Sequence, residues 1–384
     1  VTDPVTAEQA AAASRAAAAG RTGTAPTGTA PASTTPTAVE LAAMARARAL
    51  GLSVLGTTSP NPAVGAVVLD PAGAVVGEGA TRPPGGPHAE VVALQQAGER
   101  ARGGTAVVTL EPCDHTGRTG PCSAALLAAG VARVVVAVPE PTGTAAGGAA
   151  RLRAAGVDVL LGVERDEAED GALAPWLLGV HEHRPQVVWK VASTLDGRVA
   201  ASDGTSRWVT GADARAQVHR LRATCDAVLV GSGTALADDP QLTVRDVPGV
   251  AHQPLRVVLD RRGRVPATAR VHDDAAPTLV SRAAGPVELL AELWDRDVRR
   301  VLLEGGPTLV AAFLRAGLVD ELVLHLAPQL LGAGPATTAD LGISTMADAL
   351  QWRMLDVTPL GRDVQIRYRP TRHTGATRPT EEGS

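Results

Sequence analysis

The sequence predicts two successive α/β domains, on three observations. The chain has 384 residues, room for about two domains of ordinary size. In each half, runs with helical spacing alternate with short runs rich in β-branched residues. Between the halves, from Leu161 to His183, the pattern turns acidic and irregular before Arg184-Pro185 leads into a fresh strand. The boundary is therefore placed near residue 184, and no internal repeat relates the two halves.

Residues 1–37 are mostly Ala, Thr, Pro and Gly. Such a segment buries too little surface to offset its ordering entropy, and a disordered arm is expected. The tail over 371–384 is read the same way. Between these ends, the first domain takes 38–183 and the second 184–370. The first opens with a helix through Val39–Arg46 that should end near Gly51, a natural C-cap. Ala63–Leu69 reads as a buried strand, Pro71-Ala72-Gly73 as a hairpin turn and Ala74–Gly77 as the return strand. A helix over His88–Ala97, a strand over Thr105–Leu110, a helix over Cys122–Ala129 and a strand over Val131–Val138 follow. That alternation implies helices on both faces of a sheet. The second domain repeats it with strands at Val187–Ala192, Ala227–Val230, Leu255–Leu259, Thr278–Val280, Val298–Leu303 and Glu321–Leu326. Its helices are expected at Ala212–Ala223, Val287–Trp294 and Thr308–Ala316.

Composition narrows the function classes. The formal net charge is −4, and the chain holds one Phe, one Tyr and five Trp. A general nucleic-acid binder shows a basic excess and stacking aromatics. Neither is present, so a small molecule is the expected partner and nucleic acid is not. The three cysteines, Cys113, Cys122 and Cys225, are too few for a disulfide scaffold. Two of them lie near a histidine motif, which points to metal in a reducing compartment. Cys225 reads as a small buried residue. No stretch approaches the ~18 apolar residues of a membrane span, and no secretory signal is read, so a cytoplasmic protein is expected.

The chemistry-bearing motif of the first half is His88-Ala89-Glu90, followed by Pro112-Cys113 and Pro121-Cys122. A catalytic zinc site takes three protein ligands and leaves one position open. One imidazole and two thiolates supply those ligands with near-neutral total charge. Pro87 and Pro121 stand at expected helix starts, where proline fits. His88 and Cys122 then lie at helix N-termini, which favour a thiolate over a thiol. Glu90 follows His88 too closely to share the ion but is placed to move protons. The bland alternatives are a closed structural zinc or unlinked thiols. A closed site wants a fourth ligand, and His115 is the nearest. It sits in the loop Asp114–Gly120, which is expected to shape a substrate pocket instead.

His-Ala-Glu with Pro-Cys…Pro-Cys resembles the cytidine deaminase superfamily. The eight-residue spacer between the cysteines, with Gly117-Arg118-Thr119 inside it, and Ser59-Pro60-Asn61-Pro62-Ala63-Val64-Gly65 upstream, resemble more closely the deaminase half of the RibD family of bifunctional riboflavin-biosynthesis enzymes. The resemblance implies a three-layer α/β/α cytidine deaminase-like domain. It implies one zinc ion per chain held by His88, Cys113 and Cys122, with Glu90 catalytic and Asn61 facing the substrate, although from the residues alone Asn61 reads equally as a simple turn residue. Where that family commonly has Ser-His-His after the first cysteine, this chain has Asp114-His115-Thr116.

The second half lacks Gly-x-Gly-x-x-Gly, so a Rossmann fingerprint is absent. It does carry Lys190-Val191-Ala192-Ser193-Thr194-Leu195-Asp196-Gly197-Arg198, Ser206-Arg207-Trp208, Val230-Gly231-Ser232-Gly233-Thr234, Asp238-Asp239-Pro240, Leu242, Arg245 and Leu303-Glu304-Gly305-Gly306-Pro307. The last is a strand, a glycine turn and a helix start, a geometry that suits an anion. Alone these support a phosphate-binding α/β domain or ordinary turns. In combination and order they resemble the RibD reductase domain, which implies a dihydrofolate reductase-like fold and NADPH. Carried over by motif, Ala192, Trp208, Thr234, Asp238, Gly305 and Gly306 are expected to bind the cofactor. Ser206, Arg222, Leu242, Arg245 and Glu304 are expected to face a phosphorylated pyrimidine. The preference for NADPH comes from the resemblance, and no proton donor is assigned.

The implied activity is hydrolytic deamination of 2,5-diamino-6-ribosylamino-4(3H)-pyrimidinone 5′-phosphate, then reduction of the ribosyl group of the product. A homo-oligomer, with a dimer the commonest choice, is expected. Two other readings compete. One is a nucleoside or nucleic-acid deaminase with a non-catalytic second domain, which the scarce aromatics disfavour. The other is a zinc-stabilised binding protein with degenerate sites, which has no use for Glu90.

Overall fold

A computed structural model describes residues 34–115, 120–250 and 252–371. Nearly all of the arm and tail expected to be disordered lies outside the described residues. From Thr35 onward the described residues group as one compact unit.

Thr37 opens the first helix with a reciprocal capping box: Glu40 N donates to Thr37 Oγ1 at 3.2 Å and Thr37 N donates to Glu40 Oε2 at 2.8 Å. The first half then holds helices α1 (Ala38–Ser53), α2 (Ala89–Ala97), α3 (Cys122–Ala129), α4 (Gly148–Ala154), α5 (Arg165–Glu169) and α6 (Ala174–Glu182). Its strands are β1 (Gly65–Leu69), β2 (Val75–Ala80), β3 (Thr105–Leu110), β4 (Arg133–Val138) and β5 (Asp158–Leu161), in the order β2-β1-β3-β4-β5. β1 runs antiparallel to β2 and β3, and β3, β4 and β5 run parallel.

Register shows how the layers form. Gly65 faces Ala80 across the ladder, and Ala66 faces Gly79. These pairs point to opposite sides of the sheet, because side chains alternate along a strand. A Cβ at Gly65 would overlap the Ala47 carbonyl of α1, and one at Gly79 the Ala89 carbonyl of α2. Helices α1 and α2 therefore cover opposite faces of one sheet, which is the three-layer α/β/α arrangement. The Arg46–Glu78 ion pair closes the α1 side, with nitrogen–oxygen distances of 2.8 Å.

Two expectations for this half are corrected. Helix α1 does not end at Gly51 but continues to Ser53. Gly51 is there for close approach: a Cβ would lie 2.7 Å from the Ala63 carbonyl oxygen. The stretch read as irregular, Leu161–His183, is largely helical, with α5, α6 and the N-cap of α6 placing Ala168, Leu173, Trp176 and Leu177 against the core. Helices this short show little periodicity, and Pro175 and Gly179 mask what there is.

The second half contains β6 (Gln186–Thr194), β7 (Ala227–Gly231), β8 (Leu255–Leu259), β9 (Thr278–Ser281), β10 (Arg300–Leu303), β11 (Glu321–Ala327), β12 (Trp352–Leu360) and β13 (Asp363–Pro370). They form one sheet in the order β12-β13-β11-β6-β10-β7-β8-β9. The run from β11 to β9 is parallel, and β13 and β12 close it as an antiparallel hairpin. Helices α7 (Ala212–Ala223), α8 (Ser232–Asp238), α9 (Pro286–Trp294) and α10 (Pro307–Arg315) complete it. Val187, Trp189 and Val191 pack on one side with Leu289 and Phe313. Val188, Val228 and Val258 pack on the other with Cys225 and Leu242. The second half is thus a mostly parallel sheet packed on both sides, its parallel strands ending at one edge, where such sheets bind ligands.

Candidate active sites

The metal ligands expected in the first half converge. His88 is the N-cap of α2, in extended backbone at φ −71° and ψ 163°. Cys122 is the first residue of α3, after Pro121. Cys113 follows β3 by a short loop. The candidate ligand atoms of His88, Cys113 and Cys122 all lie within 4.8 Å of one another. Cys122 Sγ is 3.3 Å and Cys113 Sγ 3.7 Å from His88 Nδ1. Ligands about 2.0–2.3 Å from an ion at tetrahedral angles sit roughly 3.5 Å apart, so the spacing suits zinc.

The electrostatics call for a cation as well. A hydrogen bond from Cys122 draws the Cys113 thiol well below its usual range, with His88 adding to it. Cys122 is pushed up, first by the hydrogen bond it gives Cys113, then by burial and the nearby Glu90. A second thiolate so close to the first needs positive charge beside it. The triad therefore fits a soft, positively charged ion with one imidazole and two sulfur ligands. Glu90 is buried, and burial lifts its carboxyl above the usual range.

Asp114 is built into the wall. Ser123 Oγ donates to its carboxylate at 2.5 Å and Arg151 Nη1 at 2.8 Å. Asn61 is exposed on the turn ahead of β1, where its N–H donates to the Thr58 carbonyl at 2.9 Å. His115 is exposed, and residues 116–119 of the spacer fall outside the described residues.

The second half holds a cavity of about 1040 Å³ at the C-terminal ends of β6, β10, β7 and β8. Ala192, Trp208, Thr234, Asp238, Gly305 and Gly306, the residues expected at a cofactor, all line it. So do Ser206, Arg222, Arg245 and Glu304 of the expected substrate set. Leu242 does not line it. Its side chain is buried in the core with Val188 and Val258. Gly306 caps α10 and donates its N–H to Thr234 Oγ1 at 3.1 Å.

Arg222 and Glu304 face each other as a bidentate pair, at 2.7 and 2.8 Å, and Arg222 also donates to the Thr243 carbonyl at 2.8 Å. Arg245 donates to Thr243 Oγ1 at 2.9 Å, and its main-chain N–H donates to His219 Nδ1 at 3.2 Å. Burial holds His219 below its ordinary range, and the charges of Arg222 and Arg245 add to that. Such a cluster suits an anion.

Motif reasoning did not single out Lys190. Of the 36 Lys and Arg residues in the chain, Lys190 alone is lysine. Its amine lines the cavity and interacts electrostatically with Glu304 and Arg222. Burial lowers its pKa. A guanidinium does not give up its proton in a protein, whereas a buried amine can. A lone lysine in a chain that otherwise uses arginine was the available signal.

Comparison with known proteins finds a match for each half of the chain. Residues 39–138 match the cytidine and deoxycytidylate deaminase zinc-binding region, and residues 185–366 match the RibD C-terminal domain. The chain is 50% identical to riboflavin biosynthesis protein RibD of Mycobacterium tuberculosis, covering 82% of this chain and 92% of that protein. It is 41% identical to RibD of Escherichia coli, covering 83% and 96%. A solved structure from Thermotoga maritima, a diaminohydroxyphosphoribosylaminopyrimidine deaminase/5-amino-6-(5-phosphoribosylamino)uracil reductase, is 34% identical, with a TM-score of 0.80 over 87% of this chain and 99% of that one. RibD of Acinetobacter baumannii is 41% identical, with a TM-score of 0.78 over 87% and 99%. The match of the second half does not favour a deaminase with a non-catalytic partner domain. No helix among the described residues is long and apolar enough to cross a membrane.

Proposed function

The chain belongs to the RibD family and is a bifunctional deaminase and reductase of riboflavin biosynthesis, and from that premise we propose how its residues divide the work. Residues 38–183 form the deaminase domain and 184–370 the reductase domain. The observation that carries this reading is the presence of two separate constellations on one polypeptide.

In the deaminase domain, His88, Cys113 and Cys122 hold zinc. When bound, the metal supplies the Lewis acidity that brings a water's pKa near 7. The substrate is 2,5-diamino-6-ribosylamino-4(3H)-pyrimidinone 5′-phosphate. Water adds at the amino-bearing ring carbon, and ammonia leaves. Glu90 takes the proton from the attacking water on its carboxylate oxygen and returns it to the departing nitrogen. Its burial suits a group that must hold a proton for part of the cycle. Asn61 contacts the pyrimidine.

In the reductase domain the fit is judged on the cavity: a helix N-terminus at Gly306, cations on its wall and room for a dinucleotide beside a pyrimidine phosphate. Ala192, Trp208, Thr234, Asp238, Gly305 and Gly306 hold NADPH, which supplies the hydride when bound. Ser206, Arg222, Arg245 and Glu304 orient 5-amino-6-(5-phosphoribosylamino)uracil. Reduction of the ribosyl carbon opens the sugar ring, and the ring oxygen leaves as a hydroxyl that needs a proton. Lys190 Nζ, with Glu304 beside it, is the titratable pair on the cavity wall suited to deliver that proton. The two free metal-binding thiols suit a reducing, cytoplasmic setting, and a two-fold dimer is the commonest assembly.

The direct test follows ammonia release and loss of the cofactor's near-ultraviolet absorbance together, with Glu90→Gln alongside. The variant should release no ammonia yet still reduce pre-deaminated substrate. Ammonia without cofactor consumption, even from pre-deaminated substrate, would remove the reductase assignment and leave the deaminase standing.

A further inference from the structure

Asn61 stands on an exposed turn ahead of β1, and it can serve the pyrimidine only where that turn is held in place. The end of the turn is held from within the deaminase half. Thr58 Oγ1 donates to the Asn61 carbonyl at 3.1 Å. Val64 N donates to Thr81 Oγ1 at 3.1 Å, and Thr81 N donates to the Val64 carbonyl at 3.0 Å. Arg82 N then donates to the Pro87 carbonyl at 3.1 Å, immediately ahead of His88. The chain leaving Asn61 is therefore tied to the chain that enters the metal site.

The start of the turn is held by the other half. Gly56 has φ +86°, and a Cβ there would lie 2.7 Å from the Ala223 carbonyl oxygen and 3.0 Å from Thr224 Cα, at the end of α7. Backbone rests on backbone at that point. Three residues on, Ser59 Oγ donates to Asp226 Oδ2 at 2.9 Å. That oxygen has its place set by the reductase sheet. The N–H groups of Arg299 and Arg300, where β10 begins, donate to it at 2.8 Å each. The main chain of Asp226 is fixed as well: its N–H donates to the Arg300 carbonyl at 2.9 Å, and its carbonyl accepts from Leu255 N, the first residue of β8, at 2.8 Å. These groups lie at the N-terminal ends of β7, β8 and β10, whereas the reductase cavity opens at their C-terminal ends, and neither Ser59 nor Asp226 lines it. Reduction therefore gives this carboxylate no task.

We propose that Asp226, a residue of the reductase half, is a positioning residue of the deamination: through Ser59 it holds the turn so that Asn61 meets the pyrimidine. This rests on the reading of Asn61 as a substrate contact. A hydrogen bond to a full charge fixes its donor more firmly than a neutral one, and a displacement of about 1 Å at a positioning group can cost a hundredfold. The deaminase half alone keeps its metal ligands but lacks one of the two anchors of this turn.

The test is steady-state kinetics on the full-length, zinc-loaded protein, with deamination and the reduction of pre-deaminated substrate measured separately. Ser59→Ala removes the donor and leaves the β10 N–H groups their acceptor. It should raise the KM for deamination roughly ten- to hundredfold and leave its kcat within about twofold. Reduction should stay as in wild type. Ser59→Thr keeps the hydroxyl and should recover most of the loss. Asp226→Ala should raise the same KM at temperatures below its unfolding transition. The double variant should be no worse than Asp226→Ala alone, because both changes remove one contact. A merely structural role acts differently: it lowers the fraction of folded enzyme, so kcat falls for both reactions at unchanged KM. That result, a wild-type deamination KM in Ser59→Ala, or additive losses in the double variant would overturn the inference. Asn61→Ala separates it from the reading beneath it. A raised KM in Asn61→Ala beside wild-type kinetics in Ser59→Ala removes the positioning role alone. A wild-type KM in Asn61→Ala removes the Asn61 contact, and the positioning role with it.

Discussion

At the scale of single residues, a few buried titratable groups carry the predictions. Replacing Glu90 by Gln keeps shape and removes the base, so ammonia release should fall about 10²–10⁴-fold, the usual worth of a positioned acid–base group. Lys190→Arg keeps the charge but removes a proton that can be given up. Single-turnover hydride transfer should slow by about a hundredfold or more, and a pH–rate limb belonging to the lysine should vanish. Near-wild-type transfer in that variant would show that the amine holds only charge. His325, on β11, is 0% exposed, its Nε2 lies 3.2 Å from Gln365 Oε1, and Lys190 on neighbouring β6 and Glu304 just past β10 act on it. Burial, with the charge of Lys190, lowers its pKa to about 4. The unfolded residue titrates near 6.5. Between those values the unfolded chain binds the extra proton, so stability is full above pH ~6.5 and declines as pH falls toward 4. The loss amounts to roughly 3 kcal/mol. Urea midpoints at pH 7.5 and 5 should separate less in His325→Gln than in wild type; identical separations would remove His325 as the source.

At the scale of elements, the metal site depends on packing around its loops as much as on its ligands. Gly148 starts α4, and a Cβ there would overlap the Pro112 carbonyl oxygen, immediately ahead of Cys113. Overpacking of that kind costs about 1–3 kcal/mol and shifts backbone. Gly148→Ala should displace Pro112-Cys113 and lose zinc faster to a chelator than wild type. Gly143→Ala, where a Cβ meets nothing, should keep the metal as wild type does. Equal zinc retention in both would show that the Cys113 loop adjusts freely. Such contacts are invisible to periodicity, which describes an element but not its neighbour. The same blindness hid α5 and α6, and the β12–β13 hairpin, where the register slips between Met354 and Asp356 and much of β12 is exposed.

At the scale of the molecule, the halves are joined through buried polar contacts. Asp226, just before β7, accepts from Ser59 Oγ at 2.9 Å and from the N–H groups of Arg299 and Arg300 at 2.8 Å each. Ser59 belongs to the loop that carries Asn61, so the reductase half helps to hold the deaminase loop. Arg353 and Arg369 reach back to Asp170, and α6 packs Gly179 against the Trp294 ring. Asp226→Ala leaves buried N–H groups unpaired, at about 1–3 kcal/mol each. It should lower the midpoint of a single calorimetric transition, and Asp226→Asn, which keeps an acceptor, should lower it less. Two separate transitions in wild type would mean that the halves unfold independently. The sequence by itself determined the α/β alternation, the metal triad and the motif order of the second half. Those depend on residues a few positions apart: a proline at a helix start, a glycine turn after a strand, a ligand beside each. Only the tertiary structure decided that Leu242 turns into the core and that the one lysine lines the same cavity as Glu304. Each of those depends on which distant strands lie side by side, and pairing across a sheet leaves no local pattern in the chain.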